Sequence, residues 1–306
     1  MISLEDIRNS FQGRIELAEP MARHMTFRIG GKADLYLEPN DKEDALALFR
    51  FLGEEDIPYV LIGNGSNLLI ADEGIRGAVV NLEAGFNYFR FVDGEVIAGA
   101  GVKLAKFVDF CINNQCSGAE MLAGIPGTLG GAIIMNAGAY GGEISDYITR
   151  VDLIRDGKLL SIGKEEGDFA YRRSGLTEDI VLEGAFRFPE GVPEPMKQKR
   201  RELLIKRNAS QPVNWPNAGS IFKNPPDDYA ARLIEECGLK GRRVGGAQIS
   251  ELHANFIINV DNASANDVVE LMVIAREAVA EQFNIRLEPE IKLIGFSRDV
   301  IRRVTE

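Results

Sequence analysis

The stretch Gly124–Gly142, GIPGTLGGAIIMNAGAYGG, decides how the rest of the chain is read. It lies in a run of 22 residues without a charge, between Glu120 and Glu143, long enough to cross a bilayer. Pro126, seven glycines and Asn136 argue against a span, because a lone helix so interrupted inserts poorly, and no comparable second run exists. The run therefore reads as a buried or ligand-facing loop. Its glycines add no side chain to a core and carry a backbone-entropy penalty. Two readings stand: a packed glycine-rich core loop, or main chain laid against a flat or elongated ligand.

Composition frames that choice. The chain has 32 glycines in 306 residues, more than a tenth against the usual ~7%, without a Gly-X-Y period. At 45% hydrophobic and 26% charged it is a globular sequence, and its length suggests about two domains. Cys111, Cys116 and Cys237 are too few for a disulfide scaffold and read as reduced thiols of a cytoplasmic protein. A formal charge of −11 argues against nucleic acid as a partner. It leaves room for a small polyanion held in a locally basic or N–H-rich pocket. The N-terminal MISLEDIRNSFQGRIELAEP has acids where a signal peptide needs a basic start and an apolar run, so export is not expected.

The familiar motifs fail. There is no G-x-x-x-x-G-K-[ST] and no G-x-S-x-G. The nearest dinucleotide fingerprint, Gly63-Asn-Gly65-Ser-Asn-Leu68, lacks its third glycine and continues as strand-like LLIA instead of opening a helix. His24 and His253 are the only histidines and no C-x-x-C occurs, so a metal-free mechanism is expected. The segment Ile62–Asn67 itself has two readings. It is a plain Gly-Asn hairpin turn, or a concavity of backbone N–H groups suited to a pyrophosphate.

Along the chain, ADLYLEP (33–39) alternates as a strand, and the pattern after Asp41, a candidate N-cap, is an amphipathic helix. YVLIG, LLIA and AVVNL follow as strands, a βαβ-type start favouring an α/β layer. Asp93-Gly94 and Asp156-Gly157 each mark a hairpin, and VKLAKFVDFCINNQ is a second helix. EPMKQKRRELLIKR (194–207) is a basic helix with a solvated face, and the Pro- and Asn-rich ASQPVNWPNAGS marks a domain boundary. Beyond it come strand SIFKN, helix DDYAARLIEECG, strand ANFIINV, helix ANDVVELMVIAREAVAEQF capped near Ser264, and strand EIKLIGF.

Several motifs in order carry a resemblance. TFRIGGKAD (26–34), IGNGSNLL (62–69), GIPGTLGGA with MNAGAYGG (124–142), FAYRRS (169–174), NAGSIFKNP (217–225) and LEPEI (287–291) together resemble the UDP-N-acetylenolpyruvoylglucosamine reductase family across nearly the whole chain. The resemblance implies an α+β (mixed α/β) protein: an FAD-binding domain of the vanillyl-alcohol-oxidase/PCMH type and a smaller α+β C-terminal substrate domain. The FAD-binding region would be 1–207, with subdomains of about 1–82 and 83–207. The substrate domain would be 208–306, its last strand returning to the FAD domain. Non-covalent FAD would lie along Ile62, Gly63, Asn64, Gly65, Ser66 and Asn67, and along Gly124, Pro126, Gly127, Thr128, Gly130, Gly131 and Ala132, with Asn136 and Gly138 nearby.

The implied reaction uses NADPH to reduce the flavin, then reduces UDP-N-acetylglucosamine enolpyruvate to UDP-N-acetylmuramate for peptidoglycan. Arg172 would bind the substrate carboxylate, Ser220 would protonate the carbanion and Glu290 would act as partner or protonated donor to the intermediate. Taken singly, these read as a surface ion pair, a turn residue and a solvated acid. Tyr171, Lys223 and Asn224 would contact substrate or nicotinamide cofactor, and Lys206, Arg207, Arg242 and Arg243 are candidates for the UDP phosphates. Two departures stand out. The extra Tyr-bearing loop of some members is missing after Ser174, which marks a short form. His253 stands where some members carry a substrate-contacting glutamine, so it reads either as a substrate ligand or as a satisfied loop histidine. The implied enzyme is cytoplasmic and monomeric, with no membrane insertion. A related FAD oxidase of small alcohols or sugars would keep the glycine motifs but has no use for the Tyr-Arg-x-Ser, Gly-Ser-x-Phe-Lys-Asn and Leu-Glu-Pro-Glu set. A nucleotide-binding module without turnover would need the glycine loops alone.

Overall fold

The computed structural model describes residues 4–306; residues 1–3, the start of the N-terminal stretch discussed above, lie outside the described residues. The chain forms two compact units, one of residues up to 17, 35–64 and 77–206, the other of 18–34, 65–76 and 207–306. Residues 18–34 and 65–76, which a contiguous division at 207/208 assigns to the first domain, are therefore part of the second unit. Among the described residues no helix is long and apolar enough to cross a membrane. The uncharged run folds instead as a short 3-10 turn Ala119–Leu122, a six-residue helix Leu129–Ile134 and a small hairpin of Gly138–Ala139 with Gly142–Glu143.

The first unit is built on a five-stranded antiparallel sheet in the order Lys158–Gly163, Ile148–Arg155, Ile180–Phe186, Glu95–Gly99, Phe89–Val92. Both expected hairpins close on Asp-Gly turns with positive φ at each residue, 51° and 78° at Asp93-Gly94, 51° and 65° at Asp156-Gly157. Left-handed dihedrals at both turn positions match the twist of the flanking strands. Every residue of the central strand Ile180–Phe186 is buried, Glu183 included. A carboxylate there must be paired, and Glu183 accepts from Tyr88 Oη at 2.7 Å, Arg90 at 2.8 Å and Arg150 at 3.3 Å. The helix Lys42–Glu54 starts at Asp41, whose carboxylate accepts from the Asp44 N–H at 2.8 Å. It buries Ala45, Leu48 and Leu52, and the same core includes Phe107 against Phe186 at 4.9 Å between rings. Each such large side chain contributes roughly 1.5–3 kcal/mol by leaving water.

The second unit centres on the helix Ala265–Phe283, which packs Val268, Leu271, Met272, Ala275 and Val279 with Leu233 and Ile234 of the helix Ala230–Glu236. A three-stranded antiparallel sheet, Arg243–Val244, Ala247–Ile249 and Ile257–Asn259, adds Ala247 and Ile257 to the same core. The strand Lys292–Ile294 runs parallel to Leu68–Ile70, three pairs in register from Lys292–Leu68 to Ile294–Ile70. SIFKN is not a ladder strand: it makes one bridge, Phe222 to Pro289, and the Ile221 N–H that would extend the pairing donates instead to the Asn255 C=O at 2.9 Å. The C-terminal helix Arg298–Thr305, capped by Ser297, has no counterpart in the element reading.

Candidate active site

The strand Tyr59–Ile62 ends at the first glycine motif, and it pairs in parallel with Ile75–Asn81. The next strand, Leu68–Ile70, pairs elsewhere, with Lys292–Ile294. Ile62–Asn67 is therefore not a hairpin turn. Gly63 approaches Thr128 so closely that a Cβ on it would lie 2.2 Å from Thr128 Oγ1. The glycine run threads past the segment 100–104, with Gly130 N–H donating to Ala100 C=O at 2.9 Å and Leu129 N–H to Val102 C=O at 2.8 Å. A Cβ on Gly130 would press on Ala100 Cβ at 2.9 Å, while one on Gly131 would meet only Thr128 Oγ1, at 3.7 Å. The glycines of the run differ in their surroundings: Gly130 packs, and Gly131 leaves open space. That space is a cavity lined by Ile62, Gly63, Asn81, Thr128, Gly130 and Gly131. Gly63, Gly101, Gly130 and Gly131 bring main chain to its wall, and Leu61, Leu82, Ile134 and Val181 add apolar side chains, a lining that suits a flat aromatic cofactor lying close to the backbone. Asn81 is a lining residue that the sequence reading missed; it sits at the end of an ordinary strand and carries no local signal.

Within the second unit, Gly65 N-terminal to Ser66 lies against the His24 carbonyl, where a Cβ would be at 2.4 Å, and its own C=O accepts from Thr26 N–H at 3.3 Å. The Asn67 amide donates to the Glu290 C=O at 3.2 Å. Asn67 therefore holds the LEPE segment.

The second half of the glycine run holds FAYRRS. Ala170 and Arg173 exchange backbone hydrogen bonds of 3.0 and 3.1 Å around a tight turn. Three contacts tie it down: Asn136 Nδ2 donates to Ala170 C=O at 3.1 Å, Arg172 Nη1 to Gly138 C=O at 2.9 Å, and Ser174 Oγ to Ile134 C=O at 2.8 Å. Arg172 itself has φ +57°, uncommon for a residue with a side chain, and its guanidinium lies 5.2 Å from the centre of the exposed Tyr171 ring. Asn136, expected among the cofactor contacts, is fully buried. Its Nδ2 also donates to Glu143 Oε2 at 2.7 Å and its Oδ1 accepts from Ser145 N–H at 3.3 Å, so its amide is spent inside the protein.

Ser220 and Glu290 come together in the second unit. Glu290 N–H donates to Ile221 C=O at 2.8 Å and Lys223 N–H to Glu288 C=O at 2.9 Å, which lays 220–223 beside 288–290. Asn255 locks the other side, its side chain bonded to Phe222 N–H at 3.0 Å and Phe222 C=O at 2.8 Å. Both Ser220 and Glu290 are half-buried. Lys223 forms an ion pair with Glu288 at 3.2 Å, and Asn224 Oδ1 caps the helix Ala230–Glu236 through Ala230 N–H at 3.1 Å. His253 is edge-on to Phe256 at 4.8 Å, its Nδ1 is buried with no hydrogen-bond partner among the described residues, and burial pushes its pKa down.

The class to which this fold belongs is that of FAD-binding proteins of the vanillyl-alcohol-oxidase/PCMH type. An FAD binding domain model matches residues 33–163, and the C-terminal domain model of UDP-N-acetylenolpyruvoylglucosamine reductase matches residues 211–294. The reductase of that name from Chloroherpeton thalassium is 45% identical over 98% of this chain and 99% of its own. The one from Geobacter metallireducens is 44% identical over 94% and 97%. The crystal structure of the reductase MurB from Thermus caldophilus superposes with a TM-score of 0.79 at 34% identity, covering 92% of this chain and 99% of that one. The chain belongs to the UDP-N-acetylenolpyruvoylglucosamine reductase family. A Phl p 4 variant described as a glucose oxidase, at TM-score 0.50 and 14% identity over 62% of this chain and 44% of its own, is a likeness of fold alone.

Proposed function

We propose that the protein reduces UDP-N-acetylglucosamine enolpyruvate to UDP-N-acetylmuramate, using FAD and NADPH, as a cytoplasmic step of peptidoglycan synthesis on which cell shape and division depend. The observation that carries this reading is 45% identity across essentially both full chains, with each motif in order. Gly63, Thr128 and Gly131 would hold FAD in the cavity they border, and the bound flavin would supply hydride exchange, with NADPH as donor and the terminal alkene carbon of the enolpyruvyl group as acceptor.

The chain's own residues handle the charge and the proton. Hydride addition to a carboxylate-conjugated alkene builds negative charge on the adjacent carbon and the carboxylate. Fixed donors at that carboxylate stabilise the developing charge. Arg172 supplies a planar, always-charged fork suited to two carboxylate oxygens. Ser220 gives its hydroxyl proton to the alpha carbon; a hydroxyl is a weak acid, but an enolate-like carbanion is basic enough to take it. Glu290, on the segment laid beside Ser220, is the carboxylate that partners the intermediate. Tyr171, Lys223, Asn224 and His253 contact substrate or nicotinamide cofactor, with His253 as a neutral ring. Gly63, Thr128 and Gly131 border a non-covalently held flavin, and the protein works as a monomer.

Replacing Ser220 by Ala tests the assignment. Reduction of the flavin by NADPH should be unchanged, and product formation should slow by roughly 10²–10⁴-fold, the usual contribution of a positioned acid. Product formation within a few-fold of the parent would remove Ser220 from that role.

A further inference from the structure

Arg172 is the residue on which the proposed carboxylate recognition depends. Its turn is held by the second half of the glycine run. Asn136 sits at φ +43°, a left-handed position that Asn tolerates better than most residues. Its two amide hydrogens are divided between Glu143 Oε2, at 2.7 Å, and the Ala170 carbonyl, at 3.1 Å. Ala170 is one end of the reciprocal backbone pair that closes the turn on Arg173. Arg172, inside that turn, reaches back to the Gly138 carbonyl at 2.9 Å, two residues beyond Asn136. Glu143 is itself fixed: its N–H donates to Asp146 Oδ2 at 2.8 Å at the start of a 3-10 turn, Ile144–Asp146. Hydrogen bonds link Glu143 to Asn136 and Asn136 to Ala170, and the backbone of the turn carries the connection on to Arg172.

We propose that Asn136, whose other amide hydrogen is held by Glu143, is a positioning residue that sets the Arg172 guanidinium through the Ala170–Arg173 turn. This rests on Arg172 being the carboxylate-binding residue. The alternative for Asn136 is a structural staple that any hydrogen bond between 136 and 143 would satisfy. The chemistry separates the two. In Asn136→Asp, size and tolerance of positive φ are kept, and Oδ1 still accepts from Ser145, but both donors are lost and two carboxylates face each other. Adding Glu143→Gln restores a 136–143 hydrogen bond with its polarity reversed, the amide introduced at 143 donating to the carboxylate introduced at 136. The Ala170 carbonyl still has no donor.

The FAD-loaded parent, Asn136→Asp, Glu143→Gln, the double variant and Arg172→Lys would be compared by anaerobic stopped-flow, with thermal unfolding alongside. Misplacing a binding group by an ångström lowers rates by order 10²-fold. Asn136→Asp should unfold at lower temperature and slow the enolpyruvyl half-reaction by roughly 10–100-fold, with a raised KM, while flavin reduction by NADPH is unchanged. Glu143→Gln alone, which keeps an oxygen acceptor for Asn136, should stay within a few-fold of the parent. The double variant should recover the parental unfolding temperature and remain slow in the enolpyruvyl half-reaction. Recovery of rate together with stability in the double variant overturns the positioning role. So does an equal slowing of both half-reactions in Asn136→Asp. An unaltered enolpyruvyl half-reaction in Arg172→Lys would instead remove Arg172 from carboxylate recognition, and the reading beneath the inference with it.

Discussion

At residue 63 a single methyl group has no room: a Cβ would stand 2.2 Å from Thr128 Oγ1 and 3.2 Å from two further atoms of that side chain. Gly63→Ala should therefore lower stability by about 1–3 kcal/mol, the usual effect of overpacking. It should also loosen flavin retention; parental unfolding temperature and flavin content in the variant would contradict the close approach. His253 makes a pH prediction. Burial lowers its pKa, so the fold favours the neutral ring. The stability this contributes is present above the unfolded value of about 6.5 and is lost as pH falls through the folded one, because the unfolded chain takes the proton first. Between pH 7.5 and 5.5 the parent should thus lose more unfolding temperature than His253→Gln, and parallel curves would show that His253 is not the source. At this scale the sequence was only partly legible. Gly63 and Arg172 stood out through motifs, but the positive φ of Arg172 and the buried amide of Asn136 depend on segments more than 30 residues away, and no local pattern records them.

Elements whose stability is local were the readable ones. The helix Ala265–Phe283 follows from its apolar spacing and from Ser264, whose Oγ accepts from Asp267 N–H at 3.1 Å while Asp267 accepts from Ser264 N–H at 2.9 Å. Ser264→Ala should lower unfolding stability by about 1 kcal/mol in a denaturant titration. Asp267→Ala should lower it further, since the same carboxylate also accepts from Gly246 N–H at 3.1 Å. Equal effects would mean that this last bond contributes nothing. The two Asp-Gly hairpins were equally plain, because the turn residues dictate their dihedrals. The pairing of Leu68–Ile70 with Lys292–Ile294 was not: three-residue strands far apart in sequence have no periodicity long enough to reveal a partner. That missing pair is why Ile62–Asn67 reads as a hairpin turn until its flanking strands are seen to go to different sheets.

For the molecule as a whole, the glycine excess resolves into a use. Gly63 and Gly131 open the cavity of the first unit, Gly130 packs beside them, and the rest of the uncharged run anchors the Arg172 turn. The proposed catalytic groups are divided, Arg172 in the first unit and Ser220 with Glu290 in the second. The proposed reaction has two halves, and each has its own optical signature in the flavin. The most direct test mixes the FAD-loaded protein anaerobically with one equivalent of NADPH, then with UDP-N-acetylglucosamine enolpyruvate, while flavin absorbance is followed. The account predicts bleaching by NADPH and full return of colour on adding the enolpyruvyl nucleotide, with one equivalent of UDP-N-acetylmuramate formed. Bleaching that persists with that substrate and reverses only on admitting oxygen would contradict it.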